Sequence, residues 1–173
     1  MSEASDLLST IVEFSIGLAG FSGIVGIFIN RSGQWIYVDR FRVTNLLLMS
    51  LTPGFLSFIS LGLLPIVDGA IEISAAIFAT TIVLLLTFIP RARSRVPEID
   101  RPLVGLRIFV PMSLTFVVLL ILQTLIAVSV IDSYEFTVYY YSLVVMLLLA
   151  VIQFARLILA RPHASSERST DDA

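Results

Sequence analysis

LLSTIVEFSIGLAGFSGIVGIFIN, residues 7–30, carries one charged side chain, Glu13, and four glycines, Gly17, Gly20, Gly23 and Gly26. A helix needs about 20 apolar residues, at roughly 1.5 Å rise each, to cross the hydrocarbon core of a bilayer, so this stretch reads as a membrane span. At about 100° per residue, Glu13, Gly17, Gly20 and Ile24 share one narrow face, with Gly23 and Ile27 at its edge. A carboxyl group and a glycine seam therefore lie on one stripe. Small residues let helix backbones approach closely, and small-xxx-small spacing recurs as Ser15, Ala19, Gly23 and as Ser22, Gly26. Packing within the bundle is the expected use of the glycines; packing against another subunit is the sharper alternative.

The composition agrees with that reading. Of 173 residues, 57% are hydrophobic and 14% charged, with a mean hydropathy of +0.98; soluble domains run at about 45–50% and about 25%. There is no cysteine, so disulfides, thiolate metal sites and cysteine nucleophiles are excluded. The one histidine, His163, lies in a polar tail, which argues against a histidine-ligated haem or a zinc site of the usual kind. No cofactor is expected. The N-terminal MSEASD has no basic region ahead of the first apolar run, which argues against a cleaved secretory signal.

Four more spans follow. The second covers 41–67, with Pro53-Gly54 predicting a kink or break near its middle. The third covers 70–90, ending where Pro90, Pro97 and Pro102 punctuate an arginine-rich link. The fourth covers 108–131, with Pro111 in its first turn, and the fifth 136–160. The expected fold is an all-α integral membrane protein, a single five-helix bundle over residues 1–162 with a disordered polar tail at 163–173.

All eleven basic residues are arginine. They fall in or beside the first and third links and at or beyond the end of the fifth span, whereas the N-terminus and the two short turns have none. By the positive-inside rule the N-terminus is expected outside and the C-terminus in the cytoplasm of a bacterial-type inner (plasma) membrane. Trp35 and Tyr37 then mark one interface, and Tyr134, Tyr139, Tyr140 and Tyr141 the other. Glu3, Asp6, Glu13, Asp68, Glu72, Asp132 and Glu135 all belong to the outer half, a field that would concentrate cations; acids also gather simply where arginine is excluded. A parallel duplication of a two-helix unit is suggested by the offsets of 59, 60 and 61 residues between Glu13 and Glu72, Arg31 and Arg91, and Asp39 and Asp100.

Few residues could carry chemistry. An ionisable residue inside a span is a functional-site hypothesis by default, at about 2.5–3.5 kcal/mol of insertion cost at the helix centre; Glu13 is that residue. Ser57 and Ser60, near Pro53-Gly54, could line a pathway where backbone opens. Gln123 is the most deeply placed amide. Interhelical hydrogen bonds, at about 0.6 kcal/mol each, explain most such groups. Arg91, Arg93, Arg95 and Arg101 are expected to meet anionic lipid headgroups. Without histidine or lysine in the bundle, a serine nucleophile has no base, and there is no phosphate loop. No enzyme and no nucleic-acid partner is expected. Glu13 in the outer part of a first helix resembles the small multidrug resistance exporters in that respect alone. Those are shorter four-helix proteins whose first-helix motif is not in IVEFSIGLAGF, and no functional residue carries over.

Two functions fit. The first is an oligomeric protein forming or serving a proton or cation pathway, with Glu13 as its ionisable element. The second is a non-catalytic accessory subunit or scaffold, docking a membrane partner through the Gly17–Gly26 face.

Overall fold

The computed structural model describes residues 2–29, 37–94, 106–131 and 133–159. They form five helices: α1 (Ser2–Ile29), α2 (Tyr37–Leu63), α3 (Ala70–Ser94), α4 (Leu106–Ala127) and α5 (Glu135–Leu159). Each is long and apolar enough to cross a membrane. Less than half of each span is buried, and large apolar side chains such as Ile16, Phe21, Phe58, Leu84, Leu114 and Leu148 cover the outside. A multi-pass membrane protein is built this way: helices satisfy their own backbone, and lipid replaces water around an apolar exterior.

Helices α1 and α2 pack on each other, as do α3 and α4, and α5 touches all four. The buried face of α5 runs Tyr139, Leu143, Met146, Ala150 and Leu157, in steps of four, three, four and seven that keep one stripe inward. Hydrogen bonds from α5 reach the C-terminal part of α2 (Ser60) and, at its other end, the N-terminal part (Asn45), so the two are antiparallel. The seven residues between α1 and α2 can reach at most roughly 29 Å, short of the ~42 Å length of α1, so both helices meet that link at the same end of the bundle. Arg42, Arg91 and Arg156 stand at this end, and Asp68, Glu72 and Glu135 at the other.

The prolines interrupt less than their chemistry suggests. α2 runs unbroken through Pro53. α3 continues through Pro90 to Ser94, which corrects its expected end and puts Arg91 and Arg93 on the helix. Proline removes one backbone donor, freeing the carbonyl of Met49 at Pro53 and of Leu86 at Pro90, and side chains around each turn bond neighbouring carbonyls. Around Pro53, Ser50 Oγ donates to the Leu47 carbonyl (3.1 Å) and Thr52 Oγ1 to that of Leu48 (2.6 Å). Around Pro90, Thr87 Oγ1 donates to Leu84 (2.9 Å), the Arg91 guanidinium to Thr87 (3.3 Å) and Ser94 Oγ to Arg91 (2.7 Å). α4 starts two residues earlier than expected, placing Pro111 in its second turn.

Two turns are fixed by backbone geometry. Gly69, between α2 and α3, has φ +78°, a conformation glycine adopts without steric cost. After α4 the chain closes with Val130 N donating to Leu125 O (2.9 Å) and Ser129 N to Ile126 O (2.8 Å). This is the Schellman pattern, which calls for a left-handed residue, usually glycine; here it is Ser129, at φ 53°. Ser129→Gly is expected to raise stability by about 0.5–1 kcal/mol, read as a higher unfolding temperature in detergent. An unchanged or lower midpoint would mean that the serine conformation carries no strain.

Candidate functional site

Among the described residues, hydrogen bonds join polar side chains of different helices in the interior, and α5 contributes to each of these links. Nearest the acidic end, Ser60 Oγ donates to the Leu56 carbonyl (2.8 Å) and lies 2.7 Å from the Tyr139 hydroxyl. The Tyr139 ring is fully buried and meets Phe78 edge-on at 5.9 Å. About one turn further along α5, Ser142 accepts a hydrogen bond from Gln123 Nε2 (2.8 Å) while donating to the Val138 carbonyl (2.7 Å). Towards the arginine end, Asn45 Nδ2 donates to Gln153 Oε1 (2.7 Å), and Gln153 Nε2 to Met112 Sδ (2.8 Å). These bonds tie α5 to α2 and α4 at separated depths. In a low-dielectric interior each partner would be costly to strand.

Some groups stay unpartnered in the interior: Ser15 Oγ, Ser57 Oγ, Ser74 Oγ, Gln123 Oε1 and Asn45 Oδ1. Ser15 and Ser57 lie close to the contact between α1 and α2. A Cβ at Gly54 would stand 2.7 Å from Ser15 Cβ, closer than side chains ever sit. The glycine that lets α1 and α2 touch therefore belongs to α2.

This corrects the expectation that the α1 glycines pack within the bundle. A Cβ at Gly17, Gly20 or Gly23 meets nothing within 4 Å. Gly17 and Gly20 are exposed, with Glu13 exposed on the same side; only Gly26 is buried. Ser15 and Ser22, on the opposite side of α1, form its inward face.

The other candidates divide. Ser57, Ser60 and Gln123 are all inside, the latter two held by Tyr139 and Ser142, so the structure does not bring them to Glu13. Arg91 is exposed near the end of α3. The side chain of Arg93, all of Arg95 and Arg101, and the tail at 163–173 lie outside the described residues. Tyr139, expected at the interface, is instead core; Tyr134 and Tyr141 are exposed as a membrane-interface position requires. Asn45, Ser142 and Gln153 are the further members of the interhelical polar pairs. Their similar depths, counted from the charged ends of the helices, were the available signal.

No family model matches this chain, and no curated protein or solved structure is significantly similar to it.

One feature of the arginine end has no counterpart in the sequence reading. A cleft of about 60 Å³ opens there, lined among the described residues by Arg42 of α2 and Gln153, Arg156 and Leu157 of α5. Gln153 is its floor, fixed from behind by Asn45 and Met112. Among the described residues, no three His, Asp or Glu side chains come together as a metal-ion cluster.

Proposed function

We propose that this protein is a non-enzymatic membrane scaffold or accessory subunit that works as a homo-oligomer, its copies meeting on the α1 face of Glu13, Gly17 and Gly20. The observation that carries the reading is that these glycines look out of the bundle with open space above them. In lipid, helices associate through close backbone packing, which an exposed glycine face favours. A carboxyl group left against lipid is costly. Two copies related by a twofold axis would cover each other's face and let one Glu13 carboxyl, in its neutral form, donate to the other.

The membrane orientation belongs to the same proposal. Arg42, Arg91 and Arg156 at one end support a cytoplasmic C-terminus in an inner membrane by the positive-inside rule. The α1–α2 and α3–α4 pairs, each tightly packed, suit a duplicated hairpin to which α5 was added.

A second reading gives the oligomer a proton or cation pathway along the seam. It is favoured by the placement of Glu13, an ionisable side chain exposed on a candidate span. One experiment addresses both. Oligomeric state is measured in nanodiscs for wild type, Gly20→Leu and Glu13→Gln, beside proton and cation flux in proteoliposomes. The scaffold reading expects an oligomer that Gly20→Leu converts to monomer, with Glu13→Gln mild. Flux lost in Glu13→Gln at unchanged assembly would turn the conclusion to transport. A wild-type monomer in every bilayer tried would end both.

A further inference from the structure

We propose that the cleft between α2 and α5 at the arginine end binds the phosphate of an anionic phospholipid headgroup, clamped between Arg42 and Arg156. This site is distinct from the α1 face of Glu13, Gly17 and Gly20.

Charge and geometry carry the argument together. Two guanidinium groups from different helices line one cleft of about 60 Å³, and no carboxylate is among its described lining residues. A guanidinium has five N–H donors in a planar fork matched to phosphate oxygens, so a protein partner taking two of them leaves others for a ligand. Admitting one water takes roughly 10–15 Å³; this cleft admits a group of several heavy atoms.

The floor is prepared in advance. Gln153 is held by Asn45 at 2.7 Å, and its Nε2 gives one hydrogen to the Met112 sulfur. Thioether sulfur is a weak acceptor, and the amide has a second hydrogen to offer. Leu157, buried beside it, gives the cleft an apolar wall.

Depth selects lipid as the source of the phosphate. Arg42 is the second residue of the apolar span of α2, and Arg156 is two residues from the end of that of α5, so both stand at headgroup level. Basic pockets between transmembrane helices at this depth suit lipid phosphates. A diester phosphate arriving with its acyl chains would also cover nearby apolar surface such as Ile158, which free phosphate cannot do.

The test is native mass spectrometry of the purified full chain in detergent, titrated with phosphatidylglycerol or phosphatidylcholine, with inorganic phosphate as competitor. Wild type is expected to retain one phosphatidylglycerol in preference to phosphatidylcholine. Arg156→Gln should weaken that binding by about fivefold, and Arg42→Gln/Arg156→Gln by roughly twenty- to thirtyfold. Arg91→Gln, outside the cleft among the described residues, should weaken it clearly less than Arg156→Gln does. Arg156 is exposed, so its single variant reports even if the double variant fails to assemble. Equal losses from Arg91→Gln and Arg156→Gln would replace the clamp by a general surface field. Retention undiminished in Arg156→Gln would remove the site. Displacement of the lipid by inorganic phosphate alone would make it a soluble-anion site and overturn the lipid assignment.

Discussion

Gly54→Leu is expected to part α1 from α2 and leave no stably folded bundle. Even a methyl group at this position would stand 2.7 Å from Ser15 Cβ and 3.1 Å from its Oγ. Rotation about χ1 can move the Ser15 hydroxyl but not Cβ, which the backbone fixes, so the helices must separate. Overpacking of this kind typically costs 1–3 kcal/mol; Gly54→Ala should fall in that range, and leucine should exceed it. The measurement is the unfolding temperature in detergent, with gel filtration to detect loss of the compact form. Ser15→Gly removes the atoms in the way and should restore much of the stability of Gly54→Ala. A Gly54→Leu protein that melts with the wild type would show that the helices do not cross here. The same substitution at Gly17, where the space is open, should leave the isolated bundle folded, and the contrast separates inward from outward glycines.

Tyr139→Ala should be the other severe change, at about 3 kcal/mol. Loss of a buried aromatic side chain costs about 3–5 kcal/mol in soluble proteins; the low end applies because lipid outside the bundle is nearly as apolar as its inside. The ring fills the junction of α2, α3 and α5, against Phe78 and beside Ser60. Tyr139→Phe keeps the ring and loses only the hydroxyl, while Ser60 still donates to Leu56. About 0.6 kcal/mol is expected for it. Equal losses from the two variants, measured by the same unfolding assay, would mean that the hydrogen bond rather than the packing holds this junction.

The contrast between these residues shows what the sequence could reveal. Apolar length and arginine placement were enough to find five helices within about five residues at each end, because the bilayer imposes a minimum span. Which face of each helix turns inward was far harder to read. A soluble helix announces its buried side by an apolar stripe, but here Ile16 faces out and Ile11 in, and the two look alike in sequence. Gly17 and Gly20 of α1 drew attention as part of a packing seam and proved to look outward, while Gly54 holds the close contact. Its meaning depends on Ser15, 39 positions away, and no local pattern joins the two. Pro90 misled as a helix end for a related reason. Whether a helix continues through a proline depends on its packing, a property of the folded neighbourhood. The cleft of Arg42 and Arg156 needed the antiparallel pairing of α2 with α5, whose side-chain hydrogen bonds join residues 79 and 108 positions apart.

The arrangement of contacts also sets an order of assembly. The helix that touches all the others is the last to leave the ribosome. The α1–α2 pair can close in the membrane as soon as both are inserted, and the α3–α4 pair after it. Until Tyr139, Ser142 and Gln153 arrive on α5, however, Ser60, Gln123 and Asn45 have no interhelical partner of the kind they finally hold. The chain therefore waits in the bilayer as two half-finished pieces with polar side chains still uncommitted. Its closing step is the docking of α5 against both pairs, which also meet each other directly through α2 and α3, and whatever delays that helix delays the five-helix bundle.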